Sequence, residues 1–187
     1  MRVEARFTSN GPLATLWMKI TNGSDVTLPR INPMLCFQYR KLVGFPQWQD
    51  NFEHTYVVMD GKPKRLSDIR TEKSDPTGMV AYVEGRVQHD LDKFAKSRGG
   101  LIAERIDDAV TVVTSLDGRR KAIIAFEPPK SILANRAIPC FHADPYFGTL
   151  KPGESAEASG AILFTEEALE EAVKKMVQNE WIRGAGR

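Results

Sequence analysis

Three residues that can hold a metal or move a proton occupy alternate positions near the end of the chain: Cys140, His142 and Asp144. Pro139 and Pro145 flank them, so we predict a proline-bounded loop. Alternate side chains share one face wherever the backbone is extended. A thiolate, an imidazole and a carboxylate together favour zinc over magnesium or calcium. Without a metal, the same spacing suits a catalytic pair, with His142 as base and Asp144 as its partner.

A purely structural role for this segment stays open beside the chemical one. The side chains of His142 and Asp144 could instead hydrogen-bond backbone groups and hold a proline-rich loop in shape. An aspartate immediately before a proline is typical of an Asx-type turn.

A second candidate segment, residues 44–54 (GFPQWQDNFEH), mixes aromatic rings with amides and a carboxylate. Sugar sites need a flat apolar surface for the C–H face of the ring and polar partners for the hydroxyls. If this loop and the proline-bounded loop meet at one end of the fold, His54 completes a site with His142. The predicted ligand-binding residues are Trp48, Asp50, Asn51, His54, Asn135 and Tyr146. The alternative is that the rings of Trp48 and Phe52 only plug the end of the fold.

The elements that must position these loops are short strands. Residues 3–7 alternate apolar and polar, as in a half-buried strand, and residues 122–126 (AIIAF) are typical of a central one. Asn22-Gly23, Asp60-Gly61 and Asp117-Gly118 are turn dipeptides that favour hairpins. About nine strands within residues 1–164, followed by a helix over about 165–183 capped by Thr165, predict an all-β antiparallel sandwich with a C-terminal helix. A jelly-roll or immunoglobulin-like form is expected for one domain over residues 1–187; a small barrel is the alternative.

The sequence resembles a group of bacterial proteins of unassigned function that carry the pattern N-x-x-x-P-C-x-H-x-D-P followed by L-x-P-G-E. The matching residues here run from Asn135 to Pro145 and from Leu150 to Glu154. An N-G turn at Asn22 and a Y-x-x-x-D-G-K hairpin starting at Tyr56 extend the likeness over most of the chain. The resemblance implies a β-sandwich and no particular activity.

Charge and composition exclude several classes of function. Lys and Arg number 26 against 24 Asp and Glu, a net charge of +2, which argues against a nucleic-acid partner. No apolar run is long enough to span a bilayer, and the first residues are strand-like, so we expect a cytoplasmic protein without a membrane partner. A secreted precursor that had been trimmed would give the same sequence. No P-loop, G-x-S-x-G or H-E-x-x-H motif occurs.

Three hypotheses about function follow from these patterns. The first is a carbohydrate-associated binding or accessory domain whose ligand is a glycan or another small molecule. The second is a small enzyme that uses His142 and Asp144, with or without a bound zinc, on a sugar-like substrate. The third is an interaction module in which the C-terminal helix or a strand edge pairs with a second copy, giving a homo-oligomer.

Overall fold

The computed structural model describes residues 1–31, 33–47, 52–71, 74–83 and 100–178. Within these residues the chain forms two sheets and one α-helix. The strands are β1 (Arg2–Asn10), β2 (Leu13–Thr21), β3 (Cys36–Gln38), β4 (Thr55–Met59), β5 (Lys62–Arg65), β6 (Gly78–Tyr82), β7 (Val110–Thr114), β8 (Lys121–Glu127), β9 (Pro129–Asn135), β10 (Cys140–Pro145) and β11 (Ser155–Thr165). The helix α1 covers Leu169–Val177, and a short 3-10 turn covers Leu66–Asp68. None of the described helices is both long and apolar enough to pass through a bilayer.

The strands form an antiparallel sandwich, as predicted. One sheet has seven strands in the order β1-β2-β11-β8-β7-β4-β5, and the other has four in the order β3-β10-β9-β6. All pairings between named strands are antiparallel. The predicted C-terminal helix is also present and packs on the outer face of the larger sheet.

The main core lies between the two sheets, because each sheet turns an apolar side-chain row inward. From the larger sheet, Val113 on β7 and Ile124 on β8 face this core, and from the smaller sheet, Ile132 and Phe141 do so. The alternate residues of β7 and β8 face the helix instead. The sandwich therefore has three layers of packing: helix, seven-stranded sheet and four-stranded sheet.

The helix begins later than the sequence predicts. Thr165 belongs to the end of β11, and α1 starts at Leu169 with Ala168 at its N-cap. The hydroxyl of Thr165 accepts a hydrogen bond from the Glu167 N–H, so it stabilises the turn before the helix rather than the helix itself. Residues beyond 178, where the predicted helix continues, lie outside the described part of the chain.

Candidate functional site

The segment predicted as a proline-bounded loop is instead a strand, β10, so the prediction of a loop was wrong. Phe141 and Ala143 belong to the core between the sheets and have no exposed surface. Their burial needs an extended backbone, because only then do alternate side chains point to opposite faces. Cys140, His142 and Asp144 therefore share the outer face of the four-stranded sheet, where each is 4% exposed.

A fourth residue, Cys36 on β3, joins this row. It lies directly opposite His142 in the β3–β10 pairing, and residues that face each other across strands share a face. One ring nitrogen of His142 and the sulfurs of Cys36 and Cys140 supply three donor atoms that lie within 4.8 Å of one another. Cys36 is exposed whereas Cys140 is buried, so the cluster is reached from the β3 edge of the sheet.

The cluster differs from the predicted set of metal ligands, which was Cys140, His142 and Asp144. Among the described residues, the three donors that gather are Cys36, Cys140 and His142, and Asp144 is not one of them. The Cys140 Sγ and the His142 Nε2 are 3.7 Å apart. A tetrahedral zinc, bonded at about 2.3 Å to sulfur and about 2.05 Å to nitrogen, would hold such a pair roughly 3.6 Å apart. The spacing of this pair therefore fits a shared ion.

Asp144 lies behind the imidazole instead of beside the sulfurs. Its Oδ1 is 3.7 Å from the His142 Nδ1 and also accepts a hydrogen bond from the Leu35 N–H at 3.1 Å. Its Oδ2 accepts one from the Ser131 hydroxyl at 3.1 Å. The carboxylate is thus held by two donors and lies on the Nδ1 side of the ring, whereas the Cys140 Sγ lies on the Nε2 side.

The Nδ1 of His142 is buried and has no hydrogen-bond partner among the described residues. Buried polar atoms are ordinarily paired, and the Asp144 Oδ1 lies 3.7 Å from this nitrogen. The main chain of His142 is fixed independently, because its carbonyl accepts a hydrogen bond of 2.9 Å from Thr111 of the opposing sheet.

A buried lysine, Lys130, also lies close enough to Asp144 to feel its charge. Its side chain has no exposed surface. Burial lowers the pKa of the Lys130 ammonium, and the Asp144 carboxylate opposes that shift. The sequence signal for this residue is a lysine within an otherwise buried strand, and sequence reasoning missed it.

His54 does not complete the site, contrary to the expectation. Its Nδ1 lies 3.3 Å from the Thr114 hydroxyl. It lines a cavity of about 400 Å³ with Tyr56, Arg65 and Leu169 of the helix, and His142 is not among the described residues of that cavity. The helix covers the outer face of the seven-stranded sheet, whereas His142 faces outward from the other sheet. The two imidazoles are therefore in different layers of the sandwich.

The remaining predicted ligand-binding residues lie in different places. Asn135 lies opposite Cys140 on β9, but its side-chain oxygen accepts hydrogen bonds from the N–H groups of Ala137 and Ile138, so it shapes the β9–β10 turn. Tyr146 is half-buried just after β10, and its N–H donates to the Pro128 carbonyl. Trp48, Asp50 and Asn51 lie outside the described residues, so their role stays a prediction.

Comparison with known proteins gives structural similarities only. No protein-family model matches the chain, and no curated protein does either. A candidate aldose 1-epimerase from Escherichia coli superposes with a TM-score of 0.46 at 11% identity, covering 89% of this chain and 60% of that one. A candidate aldose 1-epimerase from Klebsiella pneumoniae gives a TM-score of 0.44 at 14% identity, covering 95% and 49%. A protein from Synechocystis gives 0.42 at 12% identity, covering 88% and 55%. The chain thus spans about half to three fifths of the length of these structures.

Proposed function

We propose that the outer face of the four-stranded sheet binds a zinc-class metal ion through Cys36, Cys140 and His142. The observation that carries the proposal is the convergence of their three donor atoms within 4.8 Å. Two thiolates and one imidazole form a soft donor set, which selects zinc and similar ions over magnesium or calcium. In this arrangement the Nδ1–H of His142 donates a hydrogen bond to Asp144, which leaves Nε2 as the ligand atom.

The centre is of the catalytic type rather than the structural type. Structural zinc sites use four protein ligands, whereas catalytic sites use three and leave the fourth position for water or substrate. Three donors gather among the described residues, and Cys36 lies at the exposed edge of the site. An ion held there would polarise an oxygen atom of a bound small molecule.

The ligand class that we propose is a sugar-like molecule rich in hydroxyl groups. Gln38 is exposed on β3 and lies directly opposite Cys140. Its amide both donates and accepts hydrogen bonds, as recognition of a hydroxyl group requires. Trp48, Asp50 and Asn51 are the sequence-derived candidates for the rest of such a site. In the metal-free alternative, His142 acts as a base with Asp144 as its partner, and Cys36 is the accessible thiol beside the ring.

The metal content of the purified protein tests the proposal. After loading the reduced protein with zinc and removing the excess, we expect about one ion per chain by elemental analysis. His142→Ala should retain almost none, whereas His54→Ala is the matched control, a histidine in another layer, and should retain as much as the unchanged protein. If the unchanged protein keeps no more zinc than His142→Ala, the metal centre is wrong and the metal-free alternative is favoured.

Replacing the carboxylate behind the imidazole should weaken the metal without removing it. Asp144→Asn keeps the size of the side chain but loses the charge that favours a proton on Nδ1. Mutation of a residue that hydrogen-bonds a metal-ligating histidine typically lowers metal affinity by about 10–100-fold. We expect a loss in that range. Competition with a coloured chelator measures it, and Ser131→Ala, which removes only a donor to Asp144, is the milder comparison. An unchanged affinity in Asp144→Asn would show that the carboxylate does not orient His142.

A further inference from the structure

The first strand of the chain forms an edge of the seven-stranded sheet that is open to solvent. β1 pairs with β2 along nine residues, from Arg2 to Asn10. Among the described residues, no strand pairs with its other edge. Eight of its nine residues are exposed, and Glu4 is half-buried. A long edge of this kind presents unpaired backbone N–H and C=O groups to any strand that can align with it.

The opposite edge of the same sheet is built differently. β5 has only four residues, Lys62–Arg65, and contains two lysines and a proline. Short length, lysine and proline are the features by which proteins block the pairing of an edge strand. β1 contains no proline and no lysine. The two edges of one sheet therefore differ in their openness to pairing.

The side chains of β1 separate by type onto its two faces. Arg2, Glu4 and Arg6 lie on one face, and Val3, Ala5 and Phe7 lie on the other. Val3 is 52% exposed and Phe7 is 63% exposed, although their opposite neighbours on β2, Ile20 and Leu16, pack against the core clusters. The apolar face of β1 is thus an uncovered extension of a buried surface.

We propose that a second copy of this chain pairs antiparallel with β1 about a two-fold axis at Ala5, giving a homodimer with a continuous sheet. In this register Glu4 lies opposite Arg6 of the second copy, and Val3 lies opposite Phe7 of the second copy. Because the axis repeats each contact, the interface contains two Glu–Arg pairs and two Val–Phe pairs. Such an interface is isologous, which is the usual form in closed dimers.

The neighbouring symmetric registers are unfavourable. A two-fold axis perpendicular to the sheet pairs each residue with one whose side chain lies on the same face. The axis therefore passes beside one residue, which is paired with the same residue of the second copy. An axis at Glu4 places the Glu4 residues of the two copies opposite each other. An axis at Arg6 does the same with the two Arg6 residues. Like charges directly opposite each other destabilise a strand pair, whereas opposite charges stabilise it. Of these three registers, charge complementarity therefore favours the one at Ala5.

The existing contacts of these side chains allow the rearrangement. The ion pair of Arg2 with Glu4, at 3.2 Å, joins side chains that are 73% and 40% exposed. Arg6 lies 5.6 Å from the Trp17 ring centre, on the same face. Exposed ion pairs contribute little to stability, so Glu4 can exchange its partner at small cost.

Charge reversal tests the dimer and its register. By sedimentation equilibrium we expect a dimer for the unchanged protein. Glu4→Arg and Arg6→Glu should each raise the dimer dissociation constant at least about tenfold, since each replaces two attractive pairs by two repulsive ones. The double variant, Glu4→Arg with Arg6→Glu, should restore dimerisation, and circular dichroism checks that each variant is folded. Lys64→Glu on the opposite edge is the control and should remain dimeric.

Two results would overturn the dimer through β1. One is an unchanged protein that stays monomeric at every concentration reached. The other is a dimer that neither single reversal weakens, which would place the contact elsewhere. Single variants that weaken the dimer without rescue in the double variant would reject the register at Ala5.

Discussion

Cys140→Ser is expected to lower zinc affinity by more than about 100-fold, because loss of a residue that only orients a ligand already costs about 10–100-fold. The serine keeps the size of the side chain but replaces a thiolate, which the ion binds strongly, with a hydroxyl that stays protonated. Cys140 is buried and its Sγ is 3.7 Å from the His142 Nε2, so no solvent-borne ligand readily takes its place. Competition with a chelator of known affinity measures the change.

Cobalt substitution distinguishes the loss of a metal ligand from a disturbance of the fold. Cobalt(II) bound to thiolates absorbs in the near ultraviolet through sulfur-to-metal charge transfer, and the intensity follows the number of Co–S bonds. The unchanged protein should show two such bonds, and Cys36→Ser and Cys140→Ser should each show fewer. Cys36 is exposed, so its replacement should leave the core undisturbed. Equal spectra for all three proteins would mean that the sulfurs do not bind the ion.

The sandwich was predictable because it depends on local patterns. Alternation of apolar and polar residues marks a strand with two different faces, and Asp60-Gly61 and Asp117-Gly118 join β4 to β5 and β7 to β8 as predicted. The prediction of a hairpin turn at Asn22-Gly23 was wrong. The Asn22 side chain is buried and its amide donates to the carbonyls of Val26 and Leu150. Its role depends on residues far along the chain, which a dipeptide rule does not consider.

The error over β10 has a similar cause. Prolines suggest a break, yet Pro139 lies just before the strand and Pro145 lies at its end, where the register with β9 shifts. Proline is tolerated at these positions because the ladder does not need its missing N–H there. The alternating apolar residues between the prolines, Phe141 and Ala143, indicated the extended backbone correctly.

The candidate site was half predictable. The shared face of Cys140, His142 and Asp144 follows from a period of two once the backbone is extended, as it is in β10. Cys36 could not be placed, because its contact depends on which distant strand pairs with β10, and a single sequence does not record that choice. His54 was misplaced for the same reason, since the layer that a residue occupies is set by sheet topology.

Phe141→Ala is expected to destabilise the fold by about 3–5 kcal/mol, the usual range for removing a fully buried aromatic ring. The Phe141 ring has no exposed surface and packs with Phe37 at 5.4 Å and Tyr39 at 5.8 Å between ring centres. Urea unfolding measures the loss. Phe164→Ala is the matched control: that ring also contacts Phe37 but is 37% exposed, so we expect roughly 1 kcal/mol or less. Equal losses in the two variants would show that the ring of Phe141 is not a core element.

Zinc should restore part of the stability that Phe141→Ala loses, because β10 carries the core on one face and the proposed ligands on the other. An ion that binds only the folded state stabilises it by about 2.7 kcal/mol when its concentration is about 100 times its dissociation constant. The ring lies on the inner face, so the variant that still folds should keep its donor atoms in place. We therefore expect a zinc-dependent rise in the urea midpoint for Phe141→Ala, and none for the same variant combined with His142→Ala. A rise of equal size in the combined variant would mean that zinc stabilises the chain at some other place.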